Sequence, residues 1–156
     1  MDSRNRIHLK RILAKNIFNQ QVKDTDFEIL KIEHSGFFGY ITIQPKINSR
    51  VTFTKRVVRF EKFKLQDYKL KESDNHLLVP ASKAKNKIDL INYMNSIFLH
   101  SVQVKENSFL NSYQFILTEQ DLKPFNLSDP QVNSTITLYA KSDCDLFSGS
   151  LIIKFV

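Results

Sequence analysis

Apolar residues at Leu9, Ile12, Leu13 and Ile17 recur at i, i+3, i+4 and i+8, a spacing that lines one face of an α-helix. The pattern predicts a helix from Asp2 or Ser3, either of which can cap it, to about Gln20, with Arg6, Lys10, Arg11 and Lys15 on its other faces. After a turn at Asp24-Thr25-Asp26 the period drops to two. Phe27 to Ile32 alternates on Phe27, Ile29 and, after one slip at Leu30, Ile32. Phe38 to Ile43 is aromatic and β-branched, with Gly36 and Gly39 bracketing its entry. Arg50 to Phe60 is the longest strand candidate, with Val51 and Phe53 on one face and a turn before it at Pro45 and Asn48-Ser49.

From Glu61 the periodicity weakens, and the polar, turn-prone run Lys69 to Asn75 reads as part of a connector over 69–85. A second helix is predicted from Asn86, with Asp89 three residues on in a capping-box arrangement. Its stripe is Leu90, Ile91, Met94, Ile97 and Phe98. Further strands are expected at Ser101 to Val104, Tyr113 to Leu117, Ser134 to Ala140 and Ser148 to Val156. A loop is expected over Glu119 to Pro130, and a hairpin turn over Lys141 to Phe147. The reading is an α+β fold: two amphipathic helices packed on antiparallel strands in small sandwich-like sheets. Residues 1–68 form a basic helix-plus-strands subdomain, 69–85 a connector, and 86–156 a helix-plus-hairpin subdomain. Because both halves run from a helix to a long β-branched strand, the alternatives are a loose duplication and one mixed domain.

A length of 156 residues with 42% hydrophobic and 25% charged positions suits such a fold. Phenylalanine is frequent at 13, and glycine is scarce at 3. The single cysteine, Cys144, permits no disulfide within the chain, which suits a reducing compartment. No run approaches the ~18 apolar residues of a membrane span, and the N-terminal stretch has no continuous apolar core of a secretory signal. A soluble protein with no membrane partner is expected. The net charge of +7 is unevenly placed: residues 1–64 hold 14 basic and 6 acidic side chains, residues 65–156 hold 9 and 10. A basic N-terminal half suits an acidic protein face or a nucleic acid as partner, the alternative being an ordinary solvated face of a lysine-rich chain.

Candidate chemistry changes little. His8, His34, His76 and His100 have no partner at metal-ligand spacing. Cys144 sits in Asp143-Cys144-Asp145, whose carboxylates are expected to raise the thiol pKa and blunt its nucleophilicity. Neither GxGxxG nor GxxxxGK[ST] occurs, and Ser148-Gly149-Ser150 leads into a strand rather than a helix, unlike a nucleophile elbow. The expectation is a non-enzymatic chain without metal or cofactor. The basic-aromatic strand is the main binding candidate: Arg50, Phe53, Lys55, Arg56 and Arg59, with Phe147 elsewhere in the chain as a further interface residue. On a straight strand Arg50, Arg56 and Phe60 share one face, and Phe53, Lys55 and Arg59 the other. Such a mixture suits an edge or interface better than a clean base-stacking platform.

One stretch carries a resemblance. Asn133-Ser-Thr-Ile-Thr-Leu-Tyr-Ala140 followed by Phe147-Ser-Gly-Ser-Leu-Ile-Ile153 resembles a small repeat domain of virion structural proteins in large contractile-tailed phages. That domain has a short helix, a hairpin strand of the form N-T-x-V-T-V-x-A, a turn and an aromatic-x-G-S strand. The Asn86 to Phe98 helix stands where the family has its helix, and Asn48 to Phe60 corresponds to the hairpin in the first half, with Asn48-Ser49 in place of the glycine. The resemblance implies an oligomeric or heteromeric assembly role in the tail or baseplate region, with other virion proteins as partners and the virion, made in the host cytoplasm, as its location. A small basic nucleic-acid-binding protein is the alternative.

Overall fold

The computed structural model describes residues 1–17, 22–47, 49, 54–68, 76–101 and 115–156. It has an α+β fold in two compact units. The expected helical residues 18–20, the strand residues 50–53, 102–104 and 113–114, and the connector residues 69–75 lie outside the described residues.

The first unit holds the described residues of Met1–Lys62 together with Phe115. Helix α1, Ser3–Ile17, starts where Asp2 caps it: the Arg4 backbone N–H donates to Asp2 Oδ1 at 2.9 Å. That same N–H is the main reason the Asp2 carboxyl titrates below its ordinary value. The predicted stripe is correct as far as it is described, since Leu9, Ile12 and Leu13 are fully buried. Strands β1 (Phe27–Ser35), β2 (Phe38–Pro45) and β3 (Arg56–Glu61) form an antiparallel meander in the order 1-2-3. The slip at Leu30 is a β-bulge. Ile29 pairs with Ile43 and Lys31 with Thr42, so Leu30 is the extra residue and Ile32 returns to the Ile41 side. Ile29, Ile41, Ile43 and Phe60 join the helix stripe in the core. Two glycines have structural causes. Gly36 (φ +59°) takes the first position of the two-residue turn between β1 and β2, and Gly39 leaves the room its cross-strand partner Phe60 fills, since a Cβ there would collide with the ring.

The second unit holds the described residues of Phe63–Gln103 and Ile116–Val156. Strand β4 (Phe63–Lys64) leads into a 3-10 turn at Leu65–Tyr68, followed by β5 (Leu77–Val79) and a second such turn at Ala81–Lys83. Helix α2, Lys87–Ser101, begins as predicted, with Asn86 Oδ1 accepting the Asp89 N–H at 2.9 Å. Leu90, Ile91 and Met94 are buried. Strands β6 (Thr135–Tyr139), β7 (Phe147–Ser148) and β8 (Ser150–Phe155) follow. β6 and β8 are the expected antiparallel hairpin, with Leu138 opposite Leu151.

Within that fold class, the structure differs from the expected details at several points. The sheets are not wholly antiparallel: β8 is central, antiparallel to β6 but parallel to β5, and β4 is parallel to β7. A strand that precedes α2 reaches β8 only by a long crossover, the connection parallel pairing requires. Among the described residues the strand topologies of the two units differ accordingly. The unit boundary falls at Lys62/Phe63 rather than after residue 68, because Phe63 donates to the Leu146 carbonyl and pairs with Phe147; the predicted connector also contains β5. Finally, Ser101 is helical, and Phe115 to Leu117 join no strand. Asn95 replaces a strand partner at Leu117, with Nδ2 donating to its carbonyl and Oδ1 accepting its N–H, each at 2.9 Å.

Candidate interaction surface

Among the described residues β3 pairs with β2 on one side and is an edge of its sheet. The pleat fixes where its side chains go. Val58 and Phe60 oppose Ile41 and Gly39 on the core side, while Val57 and Arg59 oppose Thr42 and Tyr40 on the outer side. The predicted alternation of charge along this strand is correct: Arg56 shares a face with Phe60, and Arg59 lies on the other. Arg59 stacks on Phe38, its guanidinium carbon 4.0 Å from the ring centroid, a favourable cation–π contact. Arg56 and Arg59 are exposed on this edge strand, and Lys55, also exposed, directly precedes it. Arg50 and Phe53 lie outside the described residues.

Phe147 is not part of this surface. It is fully buried in the second unit, with its ring 6.0 Å from that of Phe63. It was expected as an interface residue, but Phe147 pairs in register with Phe63, and its side chain belongs to the core.

The outer face of the β1–β3 sheet is mixed in sign. Lys31 Nζ and Glu33 Oε1 are 2.7 Å apart, which lowers the Glu33 pKa. Glu28 accepts from Gln44 at 2.6 Å, and Glu61 lies beside Phe38. Three carboxylates among the bases do not give the continuous positive potential that tracks a phosphate backbone. Sequence reasoning missed the apolar part of the surface. Val57 is 61% exposed and Phe37, in the turn after Gly36, 47%. The two-residue Gly36-Phe37 loop was the readable signal, since such a turn puts its second side chain at the surface.

Comparison with known proteins adds no relative. No family model, curated protein or solved structure matches this chain.

The chemistry expected of Cys144 changes in its cause. Burial pushes the thiol up to about 11, and the nearest contributing charge is Asp121 rather than Asp143 or Asp145. The Sγ–H donates to Asp121 Oδ1 at 3.3 Å. Asp121 Oδ2 in turn accepts from the Thr118 N–H at 2.8 Å and from the Thr118 hydroxyl at 3.0 Å. Thr118-Glu-Gln-Asp121 is a capping-box sequence, a signal inside a segment read only as loop. A protonated, buried thiol in this setting ties the turn before β7 to the Glu119–Asp121 turn. Among the described residues no group of three or more His, Cys, Asp or Glu could hold a metal ion, and no helix is long and apolar enough to cross a membrane.

Proposed function

We propose that this chain is a non-enzymatic structural protein of a phage particle, in the tail or baseplate region, acting through contacts with other virion proteins. The observation that carries this reading is the edge of β3, with Lys55, Arg56, Val57 and Arg59 presented to solvent. A strand edge with exposed side chains of this mix is suited to pairing with a neighbouring chain. The bases select an acidic face. The order of α2 followed by antiparallel β6 and β8 agrees with the order of elements in the phage repeat domain, with Thr135–Tyr139 in the first hairpin strand and Ser150–Phe155 in the second. Gly149, at φ +78°, takes the left-handed position between β7 and β8.

Mass spectrometry of purified particles tests the proposal. Presence of the chain in stoichiometric amount, lost from particles assembled with K55Q/R56Q/R59Q, is the expected result. Absence from particles while the chain is abundant in infected cells would overturn it.

A further inference from the structure

The second unit has a cleft that the edge-strand reading does not use. Its volume is about 270 Å³, and its lining combines Lys87, Lys123, Lys141 and Glu119 with the apolar side chains of Leu122 and Phe125. The cations are not equivalent. Lys87 is partly neutralised, its Nζ 3.4 Å from Glu119 Oε1 and 5.1 Å from the centroid of the Phe125 ring. Lys123 lies over the Tyr139 ring at 5.9 Å. Among the described residues neither Lys123 nor Lys141 has a carboxylate within ion-pair distance. Asp121, adjacent in the chain to the cleft, is turned to Cys144 and Thr118. The cleft therefore combines two lysines that have no carboxylate within ion-pair distance with apolar lining.

That pairing of features selects the ligand. Phosphate sites built on backbone donate several free N–H groups to one anion. Here the N–H groups of Asp121, Leu122, Lys123 and Lys141 already donate to the carbonyls of Thr118, Glu119, Tyr139 and Asp121, and Pro124 has none. The Lys123 and Lys141 ammonium groups, on flexible stems, are point charges that adapt to a carboxylate without demanding a fixed geometry. The part-exposed Phe125 adds an apolar contact for one hydrophobic side chain.

We propose that this cleft binds an acidic peptide segment of a neighbouring protein, with an apolar side chain against Phe125 and a flanking carboxylate on Lys123 and Lys141. It rests on the assembly reading, and it supplies a second contact, independent of β3, for a partner whose surface is acidic. The net charge of +7 on this chain makes a second copy a poor source of that segment.

The test uses the full chain, isotope-labelled for NMR, titrated with a short synthetic peptide carrying one leucine between glutamates. A second titration uses the same peptide with glutamines in place of the glutamates. The expected result is shifts at Lys87, Lys123, Phe125 and Lys141 with the acidic peptide only. K123Q/K141Q should weaken binding roughly tenfold, the combined effect of two exposed ion pairs, with an unchanged melting temperature, whereas K55Q/R56Q should leave it unaltered. Shifts confined to β3, equal binding of the glutamine peptide, or no shift at all would overturn the site. Tighter binding of a thymidine oligonucleotide at the same residues would overturn the peptide in favour of nucleic acid. A chain that is stoichiometric in particles but whose cleft ignores the peptide keeps the assembly role and loses only this site.

Discussion

Leu117 is almost completely buried, and one side chain, Asn95, satisfies both its backbone N–H and its carbonyl. Removing that amide leaves a buried donor and acceptor without their partner, which costs more than the net value of the bonds themselves. Asn95→Ala is therefore expected to destabilise the protein by about 2–3 kcal/mol, read from the midpoint of urea unfolding, with helix α2 retained by circular dichroism. Cys144 yields a pH prediction. Its thiol is raised from 9.0 to about 11, first by burial and then by the Asp121 charge. Between these values the folded state holds a proton that the unfolded state has lost. This contribution to stability is thus complete below about pH 9 and disappears as pH rises towards 11. Burial raises the Tyr68 phenol in the same direction, so Cys144→Ala should flatten part of the alkaline loss of stability and not all of it. Unfolding midpoints of both proteins across this range provide the check. At neutral pH the native thiol should also react far more slowly with a thiol reagent than the urea-unfolded one.

β3 and β7 both contain residues that the sequence singled out for interfaces, and pairing separates them. Arg59 lies with Val57 on the outer side of an edge strand, while Phe147 is fully buried opposite Phe63. Val57→Lys places a charge on an open edge, a common device against strand pairing. It should change monomer stability by no more than about 0.5 kcal/mol while abolishing assembly through that edge. Phe147→Ala should cost about 3–5 kcal/mol by opening a cavity in the core, so any loss of assembly would follow from loss of fold. Thermal unfolding and particle incorporation of the two variants separate the cases, and assembly by Val57→Lys at wild-type level would count against the β3 edge. The difference between these strands also explains what the sequence could reveal. Alternation was readable where a strand is long and has one wet face, down to the bulge at Leu30. β4, β5 and β7 are two or three residues long and find their partners far along the chain. Local periodicity carries no trace of such pairing, so β5 passed for connector and Phe147 for an exposed edge. The basic patch at Lys55, Arg56 and Arg59 was legible because it depends on composition and alternation alone. The cleft was not, because Lys87, Lys123 and Lys141 are far apart in sequence and come together through α2 and the turns around β6.

At the scale of the whole molecule the charge decides what kind of assembly the exposed surfaces can support. A chain of net charge +7 repels copies of itself, and the repulsion reaches about 14 Å at 50 mM salt but only about 4 Å at 500 mM. If β3 edges joined identical chains, added salt would screen the repulsion and tighten the complex. If the edge and the lysine-rimmed cleft meet an acidic partner, the same salt screens an attraction and loosens it. Assembly with an acidic neighbour requires the second behaviour. Sedimentation equilibrium of the isolated chain should show a monomer at low salt, and its complex with the acidic partner should dissociate as salt rises. A β3-dependent dimer that tightens with salt and is lost in Val57→Lys would instead assign the edge to a homo-oligomer, and the acidic neighbour would then be left to the cleft alone. The sign of the salt effect thus distinguishes a ring of identical subunits from a heteromeric joint, whatever the neighbour is. It does so because the excess charge is spread over Lys55, Arg56 and other exposed bases rather than confined to one ion pair.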